Sequence, residues 1–307
     1  MAFIKDLYRD EMRSGYLVKA DIKKVWNRQL EIWQEVDRIC RKHGITYWAA
    51  YGTLIGAARH KGFIPWDEDL DLCMMRPDFN RFCDVLDELG DSFAVAFRNF
   101  STLKIAHNQT TLISLGTFEE GEPCGLMIDI FALDIFTDGT PESLNALNAT
   151  KEIYQAMSDC SQLIQRQRDG ECFVNDLELL EYATALDSVQ DKLNLFNLYA
   201  NNLFDQSSAV VWFEDFIYGK CERPFKKAWF DETIYLPFET VELPAPKMFD
   251  EVLTSFYGNW RTPVNDGQHK LGFIHSADIP WQEFLQRVNI KKVLQKIFRG
   301  GLDNWLS

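Results

Sequence analysis

The sequence predicts an α+β fold in which a mixed β-sheet is flanked by helices. Residues 22–42 repeat apolar side chains at helical spacing, and Gly44 follows as a typical helix end. Short runs such as 70–74 and 126–133 alternate apolar and polar residues, as strands do. Helical and strand patterns alternate through the first part of the chain, which is the order expected of a sheet covered by helices.

The segments between these elements follow the same alternation. Ile45 to Tyr51 is predicted to be a buried strand, and Gly52 to Arg59 is predicted to be a Gly-Thr turn that continues as a short helix. A further helix is predicted from Asp78 to about Gly90. Three more strands are expected, at 93–97, 104–106 and 111–118.

The second half of the chain changes character twice. Residues 141–205 are helical in pattern and poor in Gly and Pro, which predicts an inserted helical subdomain. Residues 209–245 return to short strands and loops. A short helix at 248–257, a polar loop at 258–281 and a C-terminal helix at 282–298 follow.

Three regions are therefore expected. They are a catalytic core at 1–140, the helical subdomain at 141–205, and strands and helices at 206–307 that complete the site.

Composition argues against several classes of protein. The formal net charge of −14 disfavours binding to nucleic acid, which needs a basic surface. The seven cysteines include no Cys-x-x-Cys pair, so neither structural zinc nor a disulfide scaffold is expected. No stretch approaches the roughly 18 apolar residues of a membrane span, and the N-terminal segment lacks the apolar centre of a signal peptide. We expect a cytoplasmic protein.

Acidic side chains stand on two predicted strands. Asp69 and Asp71 share one face of their strand, because successive side chains alternate, while Leu70 and Leu72 point to the core. Two carboxylates about 4 Å apart repel each other by about 4 kcal/mol at an effective dielectric of 20, so such a pair needs a metal ion, a proton or cationic neighbours.

Asp129 is the third acidic residue of interest. It interrupts the apolar run 126–130 with the same parity, and a lone acid there is costly unless it is paired or binds metal. We expect Asp129 to converge with Asp69 and Asp71 at a site for Mg²⁺ or Mn²⁺, which could hold one ion or two. The alternative is a solvated acidic cluster on the surface, to which Asp67 and Glu68 would also belong.

The Gly52-Thr53 turn suggests a phosphate site. Glycine permits close approach of a phosphate, and a threonine hydroxyl can donate a hydrogen bond. Arg59, His60 and Lys61 could pair with phosphates. The alternatives are a simple helix cap and a solvated basic helix end.

Two of these segments are identified with a known family. The run from Tyr51 to Leu72, YGTLIGAARHKGFIPWDEDLDL, resembles the first motif of the LicD family. The run from Met127 to Asp134, MIDIFALD, resembles the second, and Phe249 to Trp260 resembles the family more loosely. That family includes bacterial phosphorylcholine transferases and the fukutin-related proteins.

The resemblance implies a nucleotidyltransferase fold and an enzyme that transfers a phosphorylated small alcohol, with phosphocholine as the best-known group. It implies a CDP-linked donor and a sugar hydroxyl as acceptor, on a precursor of teichoic acid or lipopolysaccharide. The superfamily's Gly-[Gly/Ser], Asp-x-[Asp/Glu] and distant acidic positions correspond to Gly52-Thr53, Asp69 with Asp71, and Asp129.

Three positions depart from the family pattern. Glu68 stands where members usually have Asp, and Ala132 where they usually have Pro. The histidine pair near the last motif is replaced by Gln268-His269-Lys270, where His269 and Lys270 are candidates for phosphate binding.

Two further hypotheses concern substrate contacts. A quaternary ammonium group needs aromatic rings around it, and Tyr47, Trp48, Tyr51 and Trp66 lie near the first motif, with Trp66 the best placed. The final helix combines apolar residues with Lys291, Lys292, Lys296 and Arg299, which predicts contact with the inner face of the plasma membrane, where a lipid-linked acceptor would be. Its alternative is a helix packed on the body of the protein.

Other functions remain compatible with the same carboxylates. One is a nucleotidyltransferase that acts on a small molecule and releases pyrophosphate. Another is a metal-dependent glycosyltransferase with an Asp-x-Asp pair, which the upstream Gly-Thr turn and the distant third acid disfavour. A binding module without catalytic activity is the third, which the intact aspartates disfavour.

Overall fold

The computed structural model describes residues 3–98, 101–114, 123–135, 209–212, 225–264 and 273–287. The chain divides into two compact units. The first comprises 1–74, 78–131 and 233–307, and the second comprises 75–77 and 132–232. The predicted α+β class is confirmed, since a mixed sheet is flanked by helices. The predicted helical subdomain at 141–205 lies outside the described residues.

The longest described helix, α1, runs Ala20–His43 and confirms the prediction for 22–42. Its apolar stripe is buried, with Trp26, Leu30 and Val36 fully inaccessible to solvent. Gly44 ends the helix in the left-handed conformation at φ 60°, and its N–H donates to the carbonyl of Cys40.

The described strands are numbered here in chain order. They are β1 Glu11–Arg13, β2 Tyr16–Val18, β3 Trp48–Ala49, β4 Asp71–Met75, β5 Phe93–Arg98, β6 Thr102–His107, β7 Thr111–Ser114, β8 Met127–Ile135, β9 Ala209–Trp212, β10 Phe225–Lys226, β11 Thr233–Phe238, β12 Val241–Pro246 and β13 Phe273–Ser276.

The described helices that follow α1 are short. They are α2 Tyr51–Ile55, which continues as a π-helical turn over Gly56–His60, α3 Arg76–Cys83, α4 Phe249–Tyr257 and α5 Trp281–Arg287. Single 3₁₀ turns cover Leu86–Glu88 and Lys227–Phe230. Within the described ranges, none of these helices is long and apolar enough to cross a membrane.

The main sheet of the first unit runs in the order β3-β4-β8-β6-β5. β3 pairs antiparallel with β4, and β6 pairs antiparallel with both β8 and β5. The apolar side chains of the central strands are buried, as the alternation predicted, with Leu72, Ile105 and Ile130 each at 0–1% exposure. By the same alternation, Asp71, Lys104 and Asp129 point to the opposite face of β4, β6 and β8.

The second unit contains the end of β8, which pairs antiparallel with β9, and β9 in turn pairs with β10. Its described core includes a buried ion pair. Arg76 Nε and Nη2 each lie 2.6 Å from the carboxylate of Asp134, and the two side chains are only 2% and 1% exposed. Arg76 begins α3 and Asp134 is near the end of β8.

Two hairpins and a strand pair complete the first unit. β1 pairs with β2, β11 with β12, and β13 with β7. Glu239, in the turn between β11 and β12, accepts hydrogen bonds from Arg13 and from the amide of Phe63, and its own amide donates to the carbonyl of Lys61. These bonds tie the β1–β2 hairpin and the β11–β12 turn to the loop that precedes Asp67.

Several boundaries differ from the prediction. Strand pairing at 45–51 is limited to β3, because Tyr51 takes a left-handed φ of 42° and starts α2. The helix predicted from Asp78 to Gly90 ends at Cys83 and is followed only by a 3₁₀ turn. β13 interrupts the predicted loop at 258–281, and it was missed because its partner strand β7 is far away in sequence.

Other boundaries agree. The strands predicted at 93–97 and 104–106 correspond to β5 and β6, and the helix predicted at 248–257 corresponds to α4. The first half of the strand predicted at 111–118 forms β7, and residues 115–118 lie outside the described residues. The described start of the predicted C-terminal helix forms α5, which packs against Ile113 of β7 and Cys124. Residues 288–307, with the predicted basic face, lie outside the described residues.

Candidate active site

The acidic segment 67–71 leads into the middle of the main sheet. Leu70 is fully buried, and its carbonyl accepts the amide of Asp129 on β8 at 3.1 Å. Asp71 begins β4 and is 9% exposed, whereas Asp69 is exposed. The segment therefore presents one carboxylate to solvent and one to the interior, side by side with β8.

Asp67 is buried rather than solvated, with 6% exposure. One carboxylate oxygen accepts the amide of Glu68 at 3.0 Å, and its backbone carbonyl accepts the indole N–H of Trp26 at 2.9 Å. Burial raises the pKa of Asp67 to about 9, with a further contribution from the charge of Asp69 and a hydrogen bond between the two carboxyl groups. At neutral pH the Asp67 carboxyl group therefore keeps its proton.

Gly52 makes room for the Asp67 carboxylate. A Cβ atom built on Gly52 would stand 2.5 Å from Asp67 Oδ2, which is closer than real Cβ contacts allow. The glycine of the Gly-Thr turn is therefore required by a side chain of this chain. The expectation from the sequence was that this glycine permits close approach of a phosphate.

Thr53 holds the backbone at the start of β4. It is 3% exposed, and its Oγ1 accepts the amide of Asp71 at 2.8 Å. The carbonyl of Asp71 in turn accepts the amide of Ala50 at 2.9 Å. Thr53 and Ala50 thus hold the backbone of Asp71 through its amide and its carbonyl group.

Asp129 reaches the site from the neighbouring strand. The register of β6 and β8 places Lys104 directly opposite Asp129, and Lys104 Nζ lies 2.6 Å from Asp129 Oδ2. The two side chains are 33% and 22% exposed. The buried neighbours Leu103 and Ile130 show that the other face of these strands forms the core.

The charges of the neighbouring carboxyl groups all act on Asp71, which indicates that these groups lie close to it. Burial raises the pKa of Asp71 well above its ordinary value, and the charges of Asp69, Asp129 and Asp67 raise it further. Lys104 acts in the opposite direction. The three aspartates singled out in the sequence are therefore brought together, with Asp67 as a fourth acid.

This all-oxygen set fits a magnesium or manganese ion in its chemistry. Hard divalent cations prefer carboxylate ligands, and a dication at Asp71 would relieve the repulsion that burial makes severe. In the part of the chain that the structure describes, no three His, Cys, Asp or Glu side chains are grouped so that they could hold a metal ion as they stand. The site supplies the ligand types, and Lys104 holds Asp129.

The three basic residues after the turn differ in environment. Arg59 donates from Nε to His60 Nε2 at 2.9 Å and from Nη1 to the carbonyl of Trp260 at 2.5 Å. Burial and the adjacent Arg59 lower the pKa of His60 to about 4, so its imidazole is neutral at neutral pH. Lys61 is exposed, in a left-handed conformation at φ 56°.

An aromatic cluster lies beside the acidic segment. Trp66, which directly precedes Asp67, is partly exposed and meets the edge of Tyr16 at a centroid distance of 5.9 Å and the ring of His60 at 6.1 Å. We call Tyr16, His60 and Trp66 the aromatic cluster. Tyr16 is 39% exposed and comes from β2, an element that the sequence analysis did not predict.

The other rings proposed for substrate contact have structural partners. Tyr47 and Trp48 are 5% and 3% exposed, and they exchange hydrogen bonds with Asp37, Trp33 and Thr233. Tyr51 packs against Phe131 and Phe256. Only Trp66 among the four lies next to the acidic segment with an exposed ring neighbour.

His269 and Lys270 lie outside the described residues, so their predicted contact with phosphate stays a prediction. Sequence reasoning missed two members of the site. Asp67 was grouped with surface acids, although the Gly52 on which it packs was a signal. Lys104 had no motif around it, and only the pairing of β6 with β8 reveals its position.

Residues 44–173 match the family model described as LicD/FKTN/FKRP, nucleotidyltransferase domain. Over this segment the chain is similar to the LicD family. The match spans the whole of both motifs, and every residue of the described acidic site between Gly52 and Asp129 lies within it. The resemblance drawn from the two motifs is thereby confirmed.

One protein of stated function is similar to most of this chain. It is 29% identical over 249 residues to the lipopolysaccharide cholinephosphotransferase LicD of Haemophilus influenzae, an alignment that covers 75% of this chain and 88% of that one. An uncharacterized protein of Rickettsia typhi is 33% identical over 101 residues, 33% of this chain and 27% of its own length.

Proposed function

We propose that this protein transfers phosphocholine from a CDP-linked donor to a sugar hydroxyl of a cell-surface glycan precursor of the lipopolysaccharide or teichoic acid type. The observation that carries the proposal is the convergence of Asp69, Asp71 and Asp129 at the end of the Gly-Thr turn. The likeness to a lipopolysaccharide cholinephosphotransferase over most of both chains supports it.

The reaction breaks the phosphoanhydride bond of the donor and forms a phosphate ester bond to the acceptor. The acceptor hydroxyl oxygen forms a bond to the phosphorus of the phosphocholine group. The bond from that phosphorus to the bridging oxygen breaks, and CMP leaves with the electron pair. The hydroxyl proton passes to solvent. Such a reaction asks the protein chiefly for positioning and for neutralisation of charge.

The residues of the site can supply both requirements. A bound Mg²⁺ or Mn²⁺ ion would neutralise charge on the diphosphate. Asp69, Asp71 and Asp129 are its proposed ligands, and Thr53 fixes Asp71 through the backbone. Lys61 is exposed and can meet leaving-group phosphate, while Arg59 is held at the carbonyl of Trp260.

The aromatic cluster favours choline among small alcohols. A trimethylammonium group binds to exposed faces of Trp and Tyr rings, and a neutral imidazole adds no repulsion. Trp66 and Tyr16 are partly exposed, and His60 is neutral at neutral pH. Ethanolamine carries a smaller, more strongly hydrated ammonium and gains less from such rings.

The first test measures CMP release from CDP-choline with Mg²⁺, with and without a glycan acceptor. We expect acceptor-dependent release by the wild type and a loss of about 100-fold or more in Asp71→Asn, as for removal of a group that stabilises transition-state charge. The folded state of Asp71→Asn should be preserved, because burial raises the pKa of Asp71 and a neutral amide of the same shape replaces the carboxyl group. A thermal melt checks this.

A second test compares the activity with CDP-choline and the activity with CDP-ethanolamine. Tyr16→Leu should lower the preference for choline by about tenfold, while Tyr16→Phe keeps it, since the ring and not the hydroxyl contacts the ammonium. Pyrophosphate as product, in place of CMP, would instead support a nucleotidyltransferase. Full activity of an Asp69→Asn, Asp71→Asn double variant would refute the proposed site.

A further inference from the structure

The side chain of Lys104 places a positive charge beside the carboxyl groups of Asp71 and Asp129. Its Nζ is 2.6 Å from Asp129 Oδ2, and the strand register Lys104↔Asp129 fixes this pair through the backbone bonds of β6 and β8. The pair is about one-quarter to one-third exposed, so it remains open to ligands from solvent. Its neighbours along both strands are buried apolar residues, which anchor the two backbones.

The groups that act on Asp71 are mostly carboxyl groups. Those of Asp69, Asp129 and Asp67 raise its pKa, and the ammonium of Lys104 lowers it. A dication that bound Asp71 and Asp129 would offset more negative charge than the ammonium does. It would also compete directly with Nζ for Asp129, because the two cations would need the same carboxylate.

A lysine side chain can move without disturbing the sheet. Its ammonium lies at the end of four flexible carbons, and it binds phosphate as a point charge. Displaced from Asp129, it would remain on the same face of β6, beside the place where metal-bound phosphate oxygens would be. A second cation within reach of the diphosphate would stabilise charge on the leaving group.

We propose that Lys104 exchanges partners during the reaction cycle: it holds Asp129 before the metal binds, and when the metal takes Asp129 it turns to a non-bridging oxygen of the donor diphosphate. The exchange makes Lys104 a competitor of the metal and a binder of the donor. The part that concerns the diphosphate rests on the proposed function. The part that concerns the metal does not.

The test measures Mn²⁺ binding by the protein alone, by electron paramagnetic resonance of free Mn²⁺. In Lys104→Met the competing ammonium is gone, and we expect Mn²⁺ to bind about fivefold more tightly than to wild type, a change of the size that a partly exposed ion pair can cause. In the same variant the KM for CDP-choline should rise about tenfold, as expected for loss of a charged hydrogen bond to phosphate.

Two further variants act as controls. Lys104→Arg keeps the charge, so its Mn²⁺ affinity should stay near that of wild type. Lys42→Met removes a lysine that pairs with Glu88 at 2.9 Å, far from the acidic site in sequence, and should change neither quantity. Thermal melts of all variants verify that they fold.

The two arms separate the possible failures. A structural role for Lys104 predicts weaker or unchanged Mn²⁺ binding in Lys104→Met, and that result would overturn the exchange. Tighter Mn²⁺ binding with an unchanged KM would overturn its second half. If the wild type turns over no CDP-linked donor, the proposed function fails, while the Mn²⁺ comparison still decides whether Lys104 and the metal compete.

Discussion

At the scale of single residues, Asp67 connects the segments that carry the other aspartates of the acidic site. It accepts the amides of its own turn, its carboxyl group contacts that of Asp69, and its carbonyl is anchored by Trp26. Gly52 provides the space it occupies. The turn that holds Asp71 and the segment that carries Asp69 are therefore joined through one buried carboxyl group.

A substitution at Gly52 tests this arrangement. Gly52→Ala should destabilise the protein by about 1–3 kcal/mol, the usual cost of overpacking, because its Cβ would lie 2.5 Å from Asp67 Oδ2. Urea unfolding measures the effect. In the double variant with Asp67→Ala, the loss of stability should be smaller than the sum of the losses in the two single variants. Strictly additive losses would contradict a direct contact.

The residue scale also shows what the sequence could reveal. Asp71 was identifiable because it shares a strand face with Asp69, Asp129 because a lone acid in an apolar run is costly, and Thr53 because it follows a glycine in a turn. Asp67 was not, since a carboxyl group in an acidic run is normally solvated. Its burial depends on Trp26 and Gly52, contacts across 41 and 15 positions that no local pattern records.

At the scale of elements, β8 links the acidic site to a second charged pair. Asp129 lies in its first half, within the first unit, and Asp134 pairs with Arg76 in the second unit. Parity along β8 predicted Asp129, but the sequence analysis did not single out Arg76 or Asp134. An arginine at the start of a helix and an acid near the end of a strand do not indicate an ion pair in the sequence. Their contact is seen only in the folded structure.

The buried pair makes a stability prediction for the second unit. Arg76→Met should cost about 3–5 kcal/mol, because it leaves the carboxylate of Asp134 buried without its partner. Arg76→Met combined with Asp134→Leu should recover most of that loss. Denaturant unfolding measures both.

The control is an exposed pair of similar chemistry. Arg81 contacts Asp78 at 2.8 Å with its side chain 52% exposed, and Arg81→Met should change stability by less than about 1 kcal/mol. Equal effects of Arg76→Met and Arg81→Met would mean that burial does not set the cost of breaking the first pair.

At the scale of the whole molecule, the acidic site couples folding to pH. Asp67 has its pKa raised to about 9 in the folded protein, against an ordinary value of 3.8, and that of Asp71 is also raised. The unfolded chain gives up these protons at lower pH than the folded chain does. Stability from the two groups is therefore complete below about pH 4 and is lost as pH rises through the folded values.

The metal-free protein should accordingly become less stable between about pH 7 and pH 9. This window avoids His60, whose lowered pKa affects stability only between about pH 6.5 and 4. Thermal melts in a chelator measure the slope, and Asp67→Asn should flatten it. A slope that is the same in Asp67→Asn and wild type would show that Asp67 does not titrate in this window.

The close approach of Gly52 and Asp67 has a consequence for how related chains diverge. Because a side chain at position 52 would collide with the Asp67 carboxyl group, a replacement of Gly52 should be accompanied by a change at position 67 across descendants of this sequence. A lineage that replaces the glycine should also have shortened or lost the acid. Such a double change would mark, from genome data alone, the copies whose catalytic pocket has been rebuilt or abandoned.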